Sequence, residues 1–215
     1  MTGGSDNVTG TQLRPPAAQR RRGAALEDAI LEAAYDELTQ AGYQAFSVEG
    51  AAARARTGKA SIYRRWPTKQ VLVMDALLTR LPTPEACGID PTSVLDDSVT
   101  TVEALRRVGT AIAGILTSPA GSAMRAIKFE AVSDPALAAL IDERFQAPRR
   151  AAMLGLLRRG IARGEVRPDA ASAIVADVLP AVLMHRVILQ DEPVSEADIH
   201  DIIERVMIPL VELRT

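Results

Sequence analysis

Between Gly42 and Pro67 the chain has room for only two short helices, and that limit shapes whatever is built around them. Ser47 can accept from the backbone of the turn after it and so opens an Ala-rich stretch at 48–55. A second helical stretch follows at 59–65 and closes at Trp66-Pro67. Proline disfavours continuation of the helix before it and suits the first turn of the next, which is expected at 67–80. Two helices of about two turns each, joined by a tight turn, make a helix-turn-helix. Ahead of them Leu26, Ile30, Ala33, Ala34, Leu38 and Ala41 recur at helical spacing and Gly42 supplies a stop, so a first helix is predicted from Leu26. Residues 1–22 have no apolar periodicity and are expected to form a tail.

Charge singles out the same region. The net charge of -2 conceals an asymmetry: residues 1–80 hold 11 Lys/Arg against 8 Asp/Glu, and the remainder holds 14 against 19. No acid occurs between Glu49 and Asp75, yet Arg54, Arg56, Lys59, Arg64, Arg65 and Lys69 do. Such a stretch is a candidate footprint for a polyanion, whose counterions it releases; the alternative is a solvated cationic face. In the second helix of the pair, Ile62 and Trp66 stand four apart and can face a core. That leaves Lys59, Ser61, Tyr63 and Arg64 for a DNA groove and its phosphate walls.

After a Pro- and Gly-rich break at 81–91, long helices are expected at 93–117, 119–131, 135–162, 169–190 and 195–213. Pro148 threatens to split the third, and Pro180 and Pro209 to kink the last two. No useful β-alternation appears, so the fold class is all-α. Several function classes lose support. Cys87 is the lone cysteine, and His185 and His200 stand in no ligand-like spacing, so neither a disulfide framework nor a metal site is expected. No phosphate loop or nucleophile motif marks an enzyme, no cofactor is implied, and no apolar run is long enough for a membrane span. Arg20, Arg21 and Arg22 are followed by no apolar segment of the secretory kind, which gives the expectation of a cytoplasmic protein. A helical protein-interaction module remains the rival reading; it explains the apolar stripes but not the acid-free basic stretch.

The strings Ala51-Ala52-Ala53-Arg54-Ala55 and Lys59-Ala60-Ser61-Ile62-Tyr63-Arg64-Arg65-Trp66-Pro67-Thr68-Lys69 resemble the signature of the tetracycline-repressor (TetR) family, and the likeness runs closely from Ala25 to about Leu78. The resemblance implies a helix-turn-helix DNA-binding domain at 23–66, with the connecting helix starting at 67–80. A helical ligand-sensing and dimerisation domain at 81–215 would follow. It implies a repressor that binds a palindromic operator in double-stranded DNA as a homodimer through about 169–213, released by a small-molecule effector. Carried over residue by residue, Ser47 becomes a phosphate contact as well as an N-cap, Lys59, Ala60 and Ser61 become base-edge or thymine-methyl contacts, and Tyr63 and Lys69 become phosphate contacts. Tyr63 also suits a half-buried core position. Thr57, Arg64 and Arg65 lie beside them. The chain departs from the family pattern at Arg56, where many members have glycine, and at Gly58, where they often have a serine or threonine cap; Arg56 is a further candidate phosphate contact. Arg14 and Arg20–Arg22 could serve as a minor-groove arm or as a solubilising tail.

Apolar stripes through Ile174, Val178, Leu179, Val182, Leu183, Val187 and Ile188, and through Ile199, Ile202, Ile203, Val206, Leu210 and Leu213, suit either a dimer bundle or an intrachain core. Around an implied ligand cavity, Ile112, Leu116, Met124, Ile127, Phe129 and Met153 are candidate walls and Arg125, Lys128 and Glu130 candidate anchors, against the plainer alternative of core and surface. His185 suits an anchor or an interface.

Overall fold

Among the described residues the chain folds into helices alone, as its Ala-, Leu- and Val-rich periodicity demands. The computed structural model describes residues 17–83, 86, 99–190 and 192–213, with the side chains of 17–22 and 189 left out. In chain order the helices are α1 (Ala17–Ala45), α2 (Val48–Arg54), α3 (Lys59–Tyr63), α4 (Lys69–Leu78), α5 (Thr101–Thr117), α6 (Pro119–Glu130), α7 (Pro135–Ile141), α8 (Ala147–Ala162), α9 (Ala173–Leu189), α10 (Glu196–Ile202) and α11 (Ile208–Val211). α1 begins within the segment expected as tail, while Arg14 and the expected helical turns at 93–98 fall outside the described residues. Gly42, at φ 75°, breaks the helical backbone of α1 where a stop is predicted. α4 starts at Lys69 rather than at Pro67, because Thr68 takes the cap position and its side chain accepts from Val71 N.

The prolines act differently from expectation. Pro148 does not split its helix: α7 runs into α8 through a π turn, Asp142–Gln146, closed by Ala147 N donating to Asp142 O. Pro209 repeats the device, with α10 and α11 joined by a π turn at Ile203–Met207 closed by Ile208 N donating to Ile203 O. In each case the proline stands two residues past the wide turn. The extra residue relieves the clash a proline ring makes with the carbonyl four residues back. α9 continues unbroken through Pro180.

Two apolar cores form, and the first extends beyond residue 80. The first gathers Ile30, Leu38, Ile62, Leu72 and Leu77 of the N-terminal helices, then takes in Met124 and Ile127 of α6, Leu137 and Ile141 of α7, and Phe145 of the first π turn. The second joins α5, α8, α9 and α10 around Leu105, Leu157, Leu179, Leu183 and Ile203. Each fully buried aliphatic side chain contributes about 1.5–3 kcal/mol. The half-exposed Asp75–Arg144 pair, between the same elements, adds about 1 kcal/mol at most. Apolar burial therefore makes helices α1–α4 and α6–α7 one packed unit, and the polar contacts fix its register.

The two cores meet where α5 turns into α6. There Gly121 lies so close to the preceding helix that an added Cβ would sit 1.9 Å from the Ile115 carbonyl oxygen. Gly114, on the open side of α5, has nothing within 4 Å. The pair gives opposite outcomes for one change. Gly114→Ala should raise unfolding free energy by up to about 1 kcal/mol through helix propensity. Gly121→Ala should lower it by about 1–3 kcal/mol through overpacking, both read by urea denaturation. Equal midpoints for Gly121→Ala and the parent would refute the close approach.

Candidate nucleic-acid interface and sensor cavity

α2 is opened by Ser47, whose Oγ accepts from Gly50 N at 2.9 Å. Gly50 in turn leaves room for Glu37, since a Cβ there would lie 2.2 Å from Glu37 Oε1. Through that gap Glu37 reaches Arg54 at 2.9 Å and locks α1 to α2. The turn after α2 passes through Arg56 at φ 50°, in the left-handed region that glycine enters without steric cost. Thr57 N donates to Ala52 O at 3.0 Å, and Gly58 leads into α3 without a side-chain cap. The glycine-to-Arg56 departure therefore leaves the turn geometry in place at some backbone strain, and α3 begins at Lys59.

α3 divides its faces as its spacing predicts. Ile62 and Trp66 are buried, and Trp66 Nε1 donates to Asp75 Oδ2 at 2.9 Å. Lys59, Ala60, Tyr63 and Arg64 are exposed, Tyr63 to 47%. Ser61 is half-buried; its Oγ accepts from Arg64 at 3.2 Å and its carbonyl from Arg65 at 3.1 Å. Arg56, Arg64 and Arg65 carry no ion pair among the described residues. The acid-free stretch is not acid-free in space, however: Arg54 meets Glu37, and Lys59 meets Glu49 of α2. The shared hydrogen bond holds Glu49 below the usual carboxylate range and Lys59 above the usual lysine range.

Lys69, expected as a phosphate contact, also has partners within the chain. Its Nζ donates to Tyr43 O at 2.6 Å and lies 4.5 Å from the Tyr43 ring centroid and 5.7 Å from that of Phe46. Burial, opposed by the more distant Glu130, lowers its pKa. An ammonium so placed ties the end of α1 to the start of α4.

A cavity of about 130 Å³ lies between α5, α6, α8 and α9. Ile112, Leu116, Met124 and Met153 line it as anticipated, with Arg125 and Lys128. Three further candidates do not line it and take the plainer alternative of core and surface. Ile127 is wholly inside the first core, Phe129 is 67% exposed, and Glu130 accepts from Gln44. Phe145, Arg149, Arg150, Asp177 and Pro180 also line it, and the sequence offered no periodic signal that brought them to α6. His185 stands outside, exposed, in a shallow groove with Phe129, Val132 and Met184.

The apolar stripes of the last helices divide between buried and unburied positions. Leu179, Leu183, Ile199, Ile202 and Ile203 are buried within the chain. On α9, Ile174 is 80% exposed, and Ile174, Val178, Ala181, His185 and Ile188 follow one another at steps of four and three with none of them buried. That spacing is compatible with a helix-packing seam, although Val178 also packs against the second core.

Among the described residues no group of His, Cys, Asp and Glu is placed to hold a metal ion, and no helix is long and apolar enough to cross a membrane. A family model for bacterial regulatory proteins of the tetR family matches residues 30–76, and one for the tetracyclin repressor-like C-terminal domain matches 95–206. The HTH-type transcriptional regulator YdeS of Bacillus subtilis is 32% identical over 86% of this chain and 89% of its own length. The DNA-binding transcriptional repressor TetR of Mycobacteroides abscessus is 31% identical over 88% and 96%. A crystal structure of a TetR-family regulator from Mesorhizobium loti superposes with a TM-score of 0.70 at 17% identity, covering 89% of this chain and 99% of that one, and so shares the fold. With both halves matched by family models and relatives aligned along most of its length, the chain belongs to the TetR family of helix-turn-helix, DNA-binding transcription regulators, which are not enzymes.

Proposed function

We propose that the protein is a repressor that binds a palindromic operator as a homodimer and leaves it when a small molecule fills the cavity. The observation that carries this is the exposed leading end of α3: Lys59, Ala60, Tyr63 and Arg64 project from a helix that Ile62 and Trp66 hold to the core. Arg56, Thr57 and Arg65 flank that end, Ser47 stands at the start of α2, and Ser61 completes the proposed contact set. Lys59 reaches DNA by exchanging Glu49 for a base edge or phosphate; both partners are exposed, so the exchange exposes no buried charge. The repressor named among the relatives supports the sign of regulation.

A five-residue recognition helix reads few base pairs, so useful affinity requires a second copy about 34–36 Å away along the duplex or a multiple of that. The α9 seam supplies the contact. Ala181 at its middle permits close approach, and Ile174 and Ile188 flank it. Salt should weaken binding steeply, because phosphate contacts release counterions.

Selection of bound duplexes from a random library should return a palindrome. On that operator, Arg56→Gly should separate two effects: unfolding free energy rises by roughly 0.5–1 kcal/mol as backbone strain is relieved. Affinity falls and the slope of log affinity against log salt shrinks by about 1 per half-site. An unchanged slope would remove Arg56 from the contact set, and a library with no enriched motif would sink the operator reading. Ile174→Glu combined with Ala181→Glu should give a folded monomer by light scattering and circular dichroism, with operator affinity reduced at least a hundredfold. A dimer of undiminished affinity would place the interface elsewhere.

A further inference from the structure

We propose that the cavity takes a small apolar carboxylate, an anion whose body is about the size of one aromatic ring, with Lys128 as the anchor of its charge. The proposal rests on the reading of the chain as an effector-responsive regulator and names the class of effector.

Size comes first. At about 130 Å³ the cavity is comparable to the roughly 150 Å³ engineered cavity that accommodates benzene. Its walls include Val108, Ile112, Leu116, Met124, Met153 and Met184. The three methionines adapt readily to an irregular apolar outline. A bare inorganic anion leaves these walls unused, whereas a hydrocarbon body buries them.

Charge selects the other half of the ligand. Arg125, Lys128, Arg149 and Arg150 line the cavity against a single acid, Asp177. Asp177 is already paired with Arg150 at 3.0 Å. Arg125 donates to Leu116 O and to Ser122 Oγ, the latter at 2.8 Å. Arg149 donates to Pro82 O at 2.8 Å and stacks on the Phe145 ring, 3.9 Å from its centroid. Lys128 differs from all three. Its Nζ lies 5.5 Å from the Phe145 centroid and makes no hydrogen bond or ion pair among the described residues. Burial, and after it the neighbouring Arg149, lowers its pKa. A half-buried ammonium facing a second cation is an electrostatic deficit that a carboxylate removes and an amine deepens. Arg125 and Lys128 also border the shallow outer groove, so they stand at the passage from solvent to the apolar walls.

The test uses the full chain with benzoate, benzamide and benzylamine as matched probes, measured by calorimetry and thermal melting, and with operator affinity followed in the same samples. Benzoate should bind at least tenfold tighter than either partner. Lys128→Gln should erase the preference of benzoate over benzamide, and Lys128→Arg should restore it, with melting curves establishing that each variant is folded. Equal affinity for benzoate and benzamide, a preference for benzylamine, or no binding of any probe would overturn the carboxylate site. Benzoate binding through Lys128 that leaves operator affinity unchanged would uphold the site and overturn its role as the sensor.

Discussion

Asp75 accepts from two directions, and much of the molecule is arranged around that carboxylate. One oxygen takes the Trp66 indole N–H at 2.9 Å, and the other takes the Arg144 guanidinium. Trp66 ends the segment that carries the recognition helix, and Arg144 belongs to the π turn between α7 and α8. An indole N–H buried without an acceptor costs about 1–3 kcal/mol, so Trp66 can be used as a core residue only because α4 presents an acceptor there. The ion pair is too exposed to hold the two parts together by itself. It specifies instead how the buried apolar surfaces of α4 and α7 are registered, and hence where α3 points.

The same π turn places its next residue, Phe145, on the wall of the cavity. Arg144 and Phe145 are adjacent in sequence, so the residue that lines the cavity and the residue that pairs with Asp75 share one turn of backbone. The alternative to its wide hydrogen-bond ring is the ordinary α-helical pairing. Pro148 limits that alternative, because α-helical pairing brings the proline ring against the carbonyl of Arg144 itself. The π turn between cavity and recognition helix is therefore the arrangement that the proline favours.

The DNA-reading half was largely legible in sequence because its signals are local. Ser47 caps the helix it precedes, Ile62 and Trp66 mark a buried face by spacing, and Gly42 marks a stop. What stayed hidden depended on contacts between distant segments. Glu49 and Glu37 bound the acid-free stretch at its edge or lie well before it, and only folding brings them to Lys59 and Arg54. Lys69 reads as a free cation until Tyr43 and Phe46 are seen around it. In the C-terminal half, periodicity identified helices but could not say which apolar face meets which neighbour. Ile127 therefore looked like a cavity wall, although α6 turns it towards α4 and the DNA-reading core. The proline positions were visible, but not the π turns that accommodate them, because the sequence rule describes an α-helix and the chain changed the helix.

α9 brings the proposed interface and the cavity onto a single rod. Ala176, Asp177, Pro180 and Met184 face the cavity, Leu179 and Leu183 face the second core, and Ile174, Val178, Ala181, His185 and Ile188 form the seam. A helix so committed on three sides has little freedom to absorb a local change by bending. A ligand that alters its packing must shift it as a body or be rejected. In a dimer built on that seam, a shift of the rod is also a shift of one subunit against the other, and the distance between two recognition helices depends on both that angle and the Asp75–Arg144 register. In the proposed dimer, occupancy of one cavity would act on half-site spacing by two routes that begin on opposite walls of the same space. Neither requires the DNA-reading helices themselves to unfold.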